Sequence, residues 1–395
     1  MKKIMVVNPT AGNPDIGPNT RWYYLGEAMS DHGYETYIIG SSFFHKYVSE
    51  QESNKFLKYN RVNYFYIKTP SYKKRIAQVL NQLTFGFKLI FKMHGLIKSI
   101  KPDAIVFTSP HPFAFFACLF HSRVNNIKLI YEVRDLWPLV LIDLTGYSKY
   151  NPYFIVLKII EKVMVNSCDK VISVKEGDIE YFVEEYGDKI AKKFTYIPNG
   201  FYSKNISETI RYNYSDKDSS EIKFCYIGSM TGYYDLGFFL HFLDFCNQKS
   251  KNVIFDVIGD GAMLSSYKEL ATELGIENII NFHGRMKRSD AMKIASKADW
   301  GVLSLKKSKA NEYGISCNKL FEYMSLGLPV LGNYYSRYDP IKNYKNGFNL
   351  FDRSFEESLS LIESANRHEL SINSAKSFKN HHEFKKISEN LKKIL

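Results

Sequence analysis

Residues 300–331 read WGVLSLKKSKANEYGISCNKLFEYMSLGLPVL. The apolar run Trp300 to Leu305 has the length of a buried strand, Asn318 to Leu326 repeats apolar residues at helical spacing, and Pro329 to Leu331 opens another strand. Strand, helix and strand in that order make a β-α-β unit, whose two strands must run parallel.

The same alternation extends outward to both ends of the chain. Strands are expected at Lys223 to Ile227, Val253 to Ile258, Asn278 to Phe282 and Phe348 to Phe351, with helices over Leu236 to Asn247, Met263 to Leu274, Ser289 to Lys297 and Phe355 to Ala365. The first half repeats the scheme: strands at Lys3 to Val7, Glu35 to Ile39, Ala104 to Phe107, Leu129 to Val133, Lys170 to Val174 and Phe194 to Ile197, helices over Thr20 to His32, Ile76 to Ile100 and Tyr153 to Ser167. This is an α/β chain with two Rossmann-like, doubly wound domains, expected to face a central cleft at their strand C-termini. The expected divisions are 1–200, a polar connector at 201–222, a second domain at 223–380 and a last helix at 381–395 that returns to the first domain.

A length of 395 residues exceeds what one hydrophobic core usually organises. Five scattered cysteines, with no C-x-x-C pair, exclude a disulfide scaffold or a zinc ribbon. No apolar run reaches the roughly 18 residues of a spanning helix, so a cytoplasmic location is expected. The net charge is +12, of which the first 200 residues contribute +8 from 26 basic and 18 acidic side chains. Between Glu52 and Asp103 there are eleven Lys and Arg and no acid, which suits an anionic surface. Within that run Ile76, Val79, Leu80, Leu83, Phe87, Ile90 and Ile97 form one helical stripe, the pattern of a helix packed on its own sheet.

Two constellations carry chemistry. The strand Leu129 to Val133 ends in Arg134-Asp135-Leu136-Trp137-Pro138, which is either a structural ion pair beneath a tryptophan or a pair that handles substrate. The loop Gly314 to Cys317 opens a helix carrying Lys319 in its first turn and Glu322 on the same face; helix dipole, free N–H groups and ammonium together suit a diphosphate. A surface ion pair capping a helix is the plainer reading of the same residues. His111 lies between two prolines after a strand, and Gly17 could admit phosphate close to the loop after the first strand. No D-x-D pair is placed to hold a metal.

The segment SCNKLFEYMSLGLPV resembles the donor-binding signature of family 4 glycosyltransferases of the GT-B fold. EVRDLWP, preceded by TSPHPF, is similar to a subgroup that builds bacterial surface polysaccharides (O-antigen and capsule) and handles N-acetylated 6-deoxy sugars. Ile197-Pro198-Asn199-Gly200, Tyr226-Ile227-Gly228, Ile258-Gly259-Asp260-Gly261 and Phe282-His283-Gly284-Arg285 extend the likeness in the same order. The resemblance implies a retaining, metal-independent hexosyltransferase without a bound cofactor. Its substrates would be a nucleotide-sugar donor, expected to be UDP-linked, and a polyprenyl-diphosphate-linked glycan acceptor. The enzyme would work peripherally at the anionic inner face of the cell membrane. It assigns Arg134, Asp135 and His111 to the acceptor and the oxocarbenium charge, and Lys319 to the leaving group. Gly17, Asn199, Gly228, Ser229, Arg285, Ser316, Asn318, Lys319 and Glu322 would form the donor site. Two departures stand out: Gly314 occupies the place of the first carboxylate of the family's Glu, seven residues, Glu pattern, and Ser229-Met230 follows Gly228 where relatives carry Arg and Lys.

Two other classes fit the composition. A nucleotide-sugar epimerase shares the fold and would turn over with no acceptor. A basic nucleic-acid-binding protein would show salt-sensitive oligonucleotide binding, but no recognition helix or aromatic RNA-binding motif supports it, and nucleic acid is not an expected partner.

Overall fold

The computed structural model describes residues 1–15, 19–45, 49–73, 75–110, 112–146, 148–202 and 221–395. Gly17, His111 and most of the expected connector lie outside them. The chain divides into two compact units, Met1–Pro198 with Phe384–Leu395, and Asn199–Glu383.

The first unit holds an eight-stranded sheet: β1 (Lys2–Val7), β2 (Tyr34–Ser41), β3 (Phe56–Tyr59), β4 (Val62–Ile67), β5 (Ala104–Thr108), β6 (Lys128–Val133), β7 (Lys170–Ser173) and β8 (Phe194–Tyr196). Their spatial order is β3-β4-β2-β1-β5-β6-β7-β8. All pairs are parallel except β3 with β4. Val6 lies opposite Ile38 on one side and Val106 on the other, so β1 is central and Ile4 to Val7 are fully buried. Strands covered on both faces lose the polar alternation of a half-exposed sheet, which is why they read as continuous apolar runs. The β3–β4 hairpin, turning at Asn60 with φ 48°, is an addition to the expected strands. Its residues fall inside the basic run, where charge masked the period-two pattern of Lys55 to Ile67.

The second unit is a six-stranded, all-parallel sheet of β9 (Ile222–Ile227), β10 (Val253–Ile258), β11 (Ile280–Gly284), β12 (Trp300–Ser304), β13 (Val330–Asn333) and β14 (Gly347–Asn349), ordered β11-β10-β9-β12-β13-β14. Phe224, Phe239, Phe242, Phe255 and Trp300 pack on one face; Cys225, Leu303, Leu320, Tyr323 and Met324 pack on the other. Local chemistry fixes several helix starts. Asn151 accepts from the Tyr153 N–H ahead of Pro152–Ser167, and Ser354 with Glu357 forms a capping box before Phe355–Glu363. Helices Phe115–Val124, Asp178–Tyr186 and Arg367–Ser377 also form, without having been expected from the sequence.

The helix Arg75–Ile100 packs differently from expectation. Its buried face is Phe85, Leu89, Met93, Leu96, Ile97 and Ile100, while Leu80, Leu83, Phe87 and Ile90 of the expected stripe are exposed. The helix is apolar on more than one face, so periodicity alone did not settle which face meets the sheet.

Candidate functional site

In the second unit the chain runs outward from β9 to β10 to β11 and then returns to place β12 beside β9. That reversal leaves a crevice at the strand C-termini, where ligands of open α/β sheets bind. Three loops line its edge by direct backbone approach. The Gly228 N–H donates to the Ile258 carbonyl at 2.9 Å, the Met230 N–H to Asp260 at 2.9 Å, and the Gly259 N–H to Gly284 at 2.9 Å. A Cβ at Gly259 would lie 1.9 Å from the Gly228 oxygen, and one at Gly261 2.2 Å from the Met230 oxygen. Both residues have strongly positive φ, so glycine is demanded twice over. These glycines shape the loop stack.

The helix Asn318–Ser325 begins beside this stack, and its N-cap residue, Cys317, supplies no side-chain cap. Its position is locked from below: Tyr323 covers Gly301 of β12, and its hydroxyl accepts from the Ile227 N–H at 2.9 Å. Lys319 therefore points along the end of β9. Its Nζ lies 3.8 Å from the ring centroid of Tyr226 and 3.5 Å from that of Tyr234. The residue is only 4% exposed, and its ammonium has no hydrogen-bond partner among the described residues. Burial holds its pKa down to about 7, against the opposing pull of Cys317 and Glu322. The full positive charge expected there is thus only partly present at neutral pH. The buried hydroxyl of Ser316 also lacks a partner among the described residues, while its carbonyl accepts from Asn199 Nδ2 at 3.4 Å.

Glu322 does not sit paired with Lys319. It is buried and forms an ion pair through Oε1 with Arg288, whose guanidinium lies 4.3 Å from the ring centroid of Phe201. Arg288 opens the helix Arg288–Ala295 after β11, three residues beyond Arg285. Sequence reasoning had chosen Arg285, which is exposed. Nothing in the local sequence separates the two arginines; Arg288 is exposed as well and differs by its ion pair with Glu322 and its ring contact with Phe201. Tyr226, Tyr234 and Phe201 were likewise missed, because an aromatic beside a strand end reads as core. Asn318 and Ser229 are exposed at the rim, and the Ser229 carbonyl accepts from the Tyr226 hydroxyl at 2.8 Å. Asn199 also accepts at its carbonyl from His382 Nδ1 at 2.9 Å, and burial pushes that imidazole down to about 4, so it stays neutral.

In the first unit, Arg134 and Asp135 follow β6. Among the described residues they form no ion pair with each other. The Arg134 N–H donates to Ser109 Oγ at 2.9 Å, and its guanidinium donates to Asn19 Oδ1 at 3.1 Å. Asn19 is in turn held by donation to the Thr10 carbonyl and hydroxyl. The buried pair nearby is Arg21 with Glu132, at 2.9 Å, with Trp22 Nε1 on the other carboxylate oxygen. That pair is structural: Arg21 also donates to the carbonyls of Ile197 and Pro198, tying the last strand to the first helix. Arg134 and Asp135 stay half-buried beside it, a pattern compatible with contact to a ligand.

Two doubly wound sheets in one chain, with an anion-suited helix start at the switch point of the second, define the GT-B architecture. Residues 17–202 match Glycosyltransferase Family 4, and residues 211–384 match Glycosyl transferases group 1. The chain carries both domains in that order and is a glycosyltransferase. No curated protein sequence matches it significantly. Among solved structures, a sucrose-phosphate synthase from Thermosynechococcus elongatus superposes with a TM-score of 0.72 at 14% identity, covering 100% of this chain and 98% of the other. Anabaena HepE in complex with UDP gives 0.66 at 14% identity, covering 100% and 99%. WaaG, a glycosyltransferase involved in lipopolysaccharide biosynthesis, gives 0.67 at 14% identity, covering 99% of each chain.

Proposed function

We propose that this enzyme moves a sugar, of the hexosamine or 6-deoxyhexosamine class, from a UDP-linked donor to a polyprenyl-diphosphate-linked glycan, with retention of anomeric configuration. The observation that carries the reading is Lys319: a buried ammonium without a hydrogen-bond partner at a helix N-terminus, beside the unpartnered hydroxyl of Ser316. Groups so costly to bury are explained when a ligand anion completes them. HepE, of the same fold, is described with UDP bound.

In the reaction, negative charge builds on the departing diphosphate. The dipole of the helix Asn318–Ser325 and Lys319 stabilise it there, and such fixed donors commonly supply the largest single part of a barrier reduction. Glu322, held by Arg288 through Oε1, offers its other oxygen to the ribose hydroxyls. Gly314 contributes no carboxylate to the sugar, so donor selection falls to other groups. Arg134 and Asp135 handle the acceptor and the oxocarbenium charge. Lys319 and the helix dipole provide the countercharge to the diphosphate, and transfer is expected to continue in excess EDTA. A lipid-linked acceptor places the enzyme at the inner membrane face, where basic side chains each contribute about 1 kcal/mol.

The test is incubation with a panel of nucleotide sugars and detergent-solubilised lipid-linked acceptors, with products identified by mass. Sugar added to the lipid-linked glycan supports the reading. Conversion of the nucleotide sugar without any acceptor would point to an epimerase, and loss of transfer on chelation, restored by magnesium, would refute the metal-independent mechanism.

A further inference from the structure

Three helices of the first unit leave apolar ridges in solvent. On Arg75–Ile100, Phe87 and Phe91 are 64% and 68% exposed, four residues apart with their rings in contact at 5.1 Å. On Phe115–Val124, Phe120 and Val124 are 58% and 66% exposed at the same spacing, and on Pro152–Ser167 the exposed pair is Ile155 and Ile159. Side chains four apart on a helix share one face, so each helix presents a ridge.

The three helices are neighbours. His121 Nε2 donates to the Ile90 carbonyl at 2.8 Å, and at Gly86 a Cβ would meet the Phe113 carbonyl at 3.1 Å, which binds the first two helices closely. Pro112, Leu157 and Met164 line one pocket, setting the third helix against the turn Pro112–Ala114.

Charge on these helices has one sign. Lys88, Lys92, Lys98, Arg123 and Lys162 are basic, and the single acid in all three helices is Glu161, buried and bonded by Lys158, Tyr181 and Tyr186. Large apolar side chains grouped in solvent mark an interaction site. Arg123 and Lys158 are paired with Asp169 and Glu185 from outside these helices, which leaves Lys88, Lys92, Lys98 and Lys162 as the cations around the ridges. Apolar ridges set among lysines, on helices that carry no exposed acid of their own, match an anionic bilayer surface, whose acyl boundary takes the rings and whose phosphates take the ammoniums. A second copy of the chain would bring the same positive charge against itself.

We propose that this three-helix face is the enzyme's membrane-docking surface and that it binds by inserting Phe87, Phe91 and Phe120. The inference deepens the reading of a lipid-linked acceptor, but the binding itself needs neither donor nor acceptor. It also shifts the contact away from the basic run as a whole. Part of that run is satisfied within the chain: Arg61 pairs with Glu27 and Asp31, and Lys55 pairs with Glu52.

The experiment is flotation with phosphatidylcholine vesicles, with and without phosphatidylglycerol, at low and high salt. It compares wild type with Phe87→Ser/Phe91→Ser/Phe120→Ser and with Lys88→Glu/Lys92→Glu. The expected result is wild-type binding to anionic vesicles that high salt weakens but does not abolish, and a loss of roughly 10-fold or more in the serine variant with its thermal melting unchanged. The glutamate variant should lose mainly the salt-sensitive part. Equal flotation of wild type and serine variant overturns the proposal, as does absence of wild-type binding. A wild-type dimer that the serine variant dissociates would also overturn it and make the face a self-interface. Failure on any of these grounds leaves transfer to a detergent-solubilised acceptor intact, so it is distinguishable from failure of the transferase reading.

Discussion

Lys319 concentrates the chemistry of the second unit in one side chain. A desolvated lysine between two tyrosine rings costs stability unless an anion restores its charge, and the same burial holds its pKa down to about 7. In the free enzyme the group loses its charge as the pH rises through about 7, and a bound diphosphate favours the charged form. UDP binding should therefore take up a proton once the pH exceeds about 7, and affinity should fall by up to about tenfold per pH unit above it. The terminal phosphate of UDP titrates near pH 6 and is already ionised in that range. Calorimetry in buffers of different ionisation enthalpy reads this directly; an affinity flat from neutral to alkaline pH would show that Lys319 is not the group that meets the phosphate. Lys319→Ala should also lower turnover by roughly 10²-fold. Arg288 acts at one remove, orienting Glu322 through its contact to Oε1. Arg288→Ala should weaken UDP binding by roughly 3- to 10-fold with little change in kcat, the scale of losing one charge-assisted contact. If binding instead tightens, the pair is a competitor of the ribose rather than its support.

At the scale of elements, the loops after β9, β10 and β11 approach one another closely at glycines and are joined by backbone hydrogen bonds. Gly259→Ala would drive a Cβ against the Gly228 oxygen in a backbone conformation with φ 139°. It should destabilise the second unit by about 2 kcal/mol or more and weaken UDP binding with it. Unchanged melting and affinity would mean that the loops can part at no cost. This region also shows what the sequence discloses and what it conceals. Trp300 to Leu305 and Asn318 to Leu326 were legible because buried parallel strands and amphipathic helices carry strong periods. Lys319 and Glu322 were singled out by the glycine loop that opens their helix, although the same residues also read as a helix-capping ion pair, and the structure pairs Glu322 with Arg288 instead. Arg288 was not, since its role depends on a helix beginning one residue earlier than the polar pattern suggested. The exposed face of Arg75–Ile100 was concealed for the opposite reason: an apolar residue carries no mark of whether it meets a sheet, a bilayer or water.

The whole chain is two units with separate cores, and its C-terminus belongs to the first. After Glu383 the helix Phe384–Lys392 stacks Phe384 on Tyr24 at 5.7 Å, brings Ser388 Oγ to 3.1 Å from His32 Nε2, and buries Ile387 and Leu391 almost completely. Lys128, at the start of β6, donates to the Ile394 carbonyl at 2.5 Å, so the end of the chain is fastened to a strand as well as to a helix. Its contribution is to close the apolar face of Arg21–Ser30, the helix that also carries Arg21 to the end of the sheet. Units with their own cores melt as separate transitions unless they are strongly coupled, and a ligand raises only the transition of the unit it binds. UDP should accordingly raise one calorimetric transition. Leu391→Ala, which empties a fully buried leucine site at a cost of about 2–5 kcal/mol, should lower the other. A single transition moved by both perturbations would show that the two cores unfold as one. Two transitions moved separately would place the nucleotide in the second unit without reference to catalysis, and would show that the last helix stabilises a domain from which it is separated by the whole of the second.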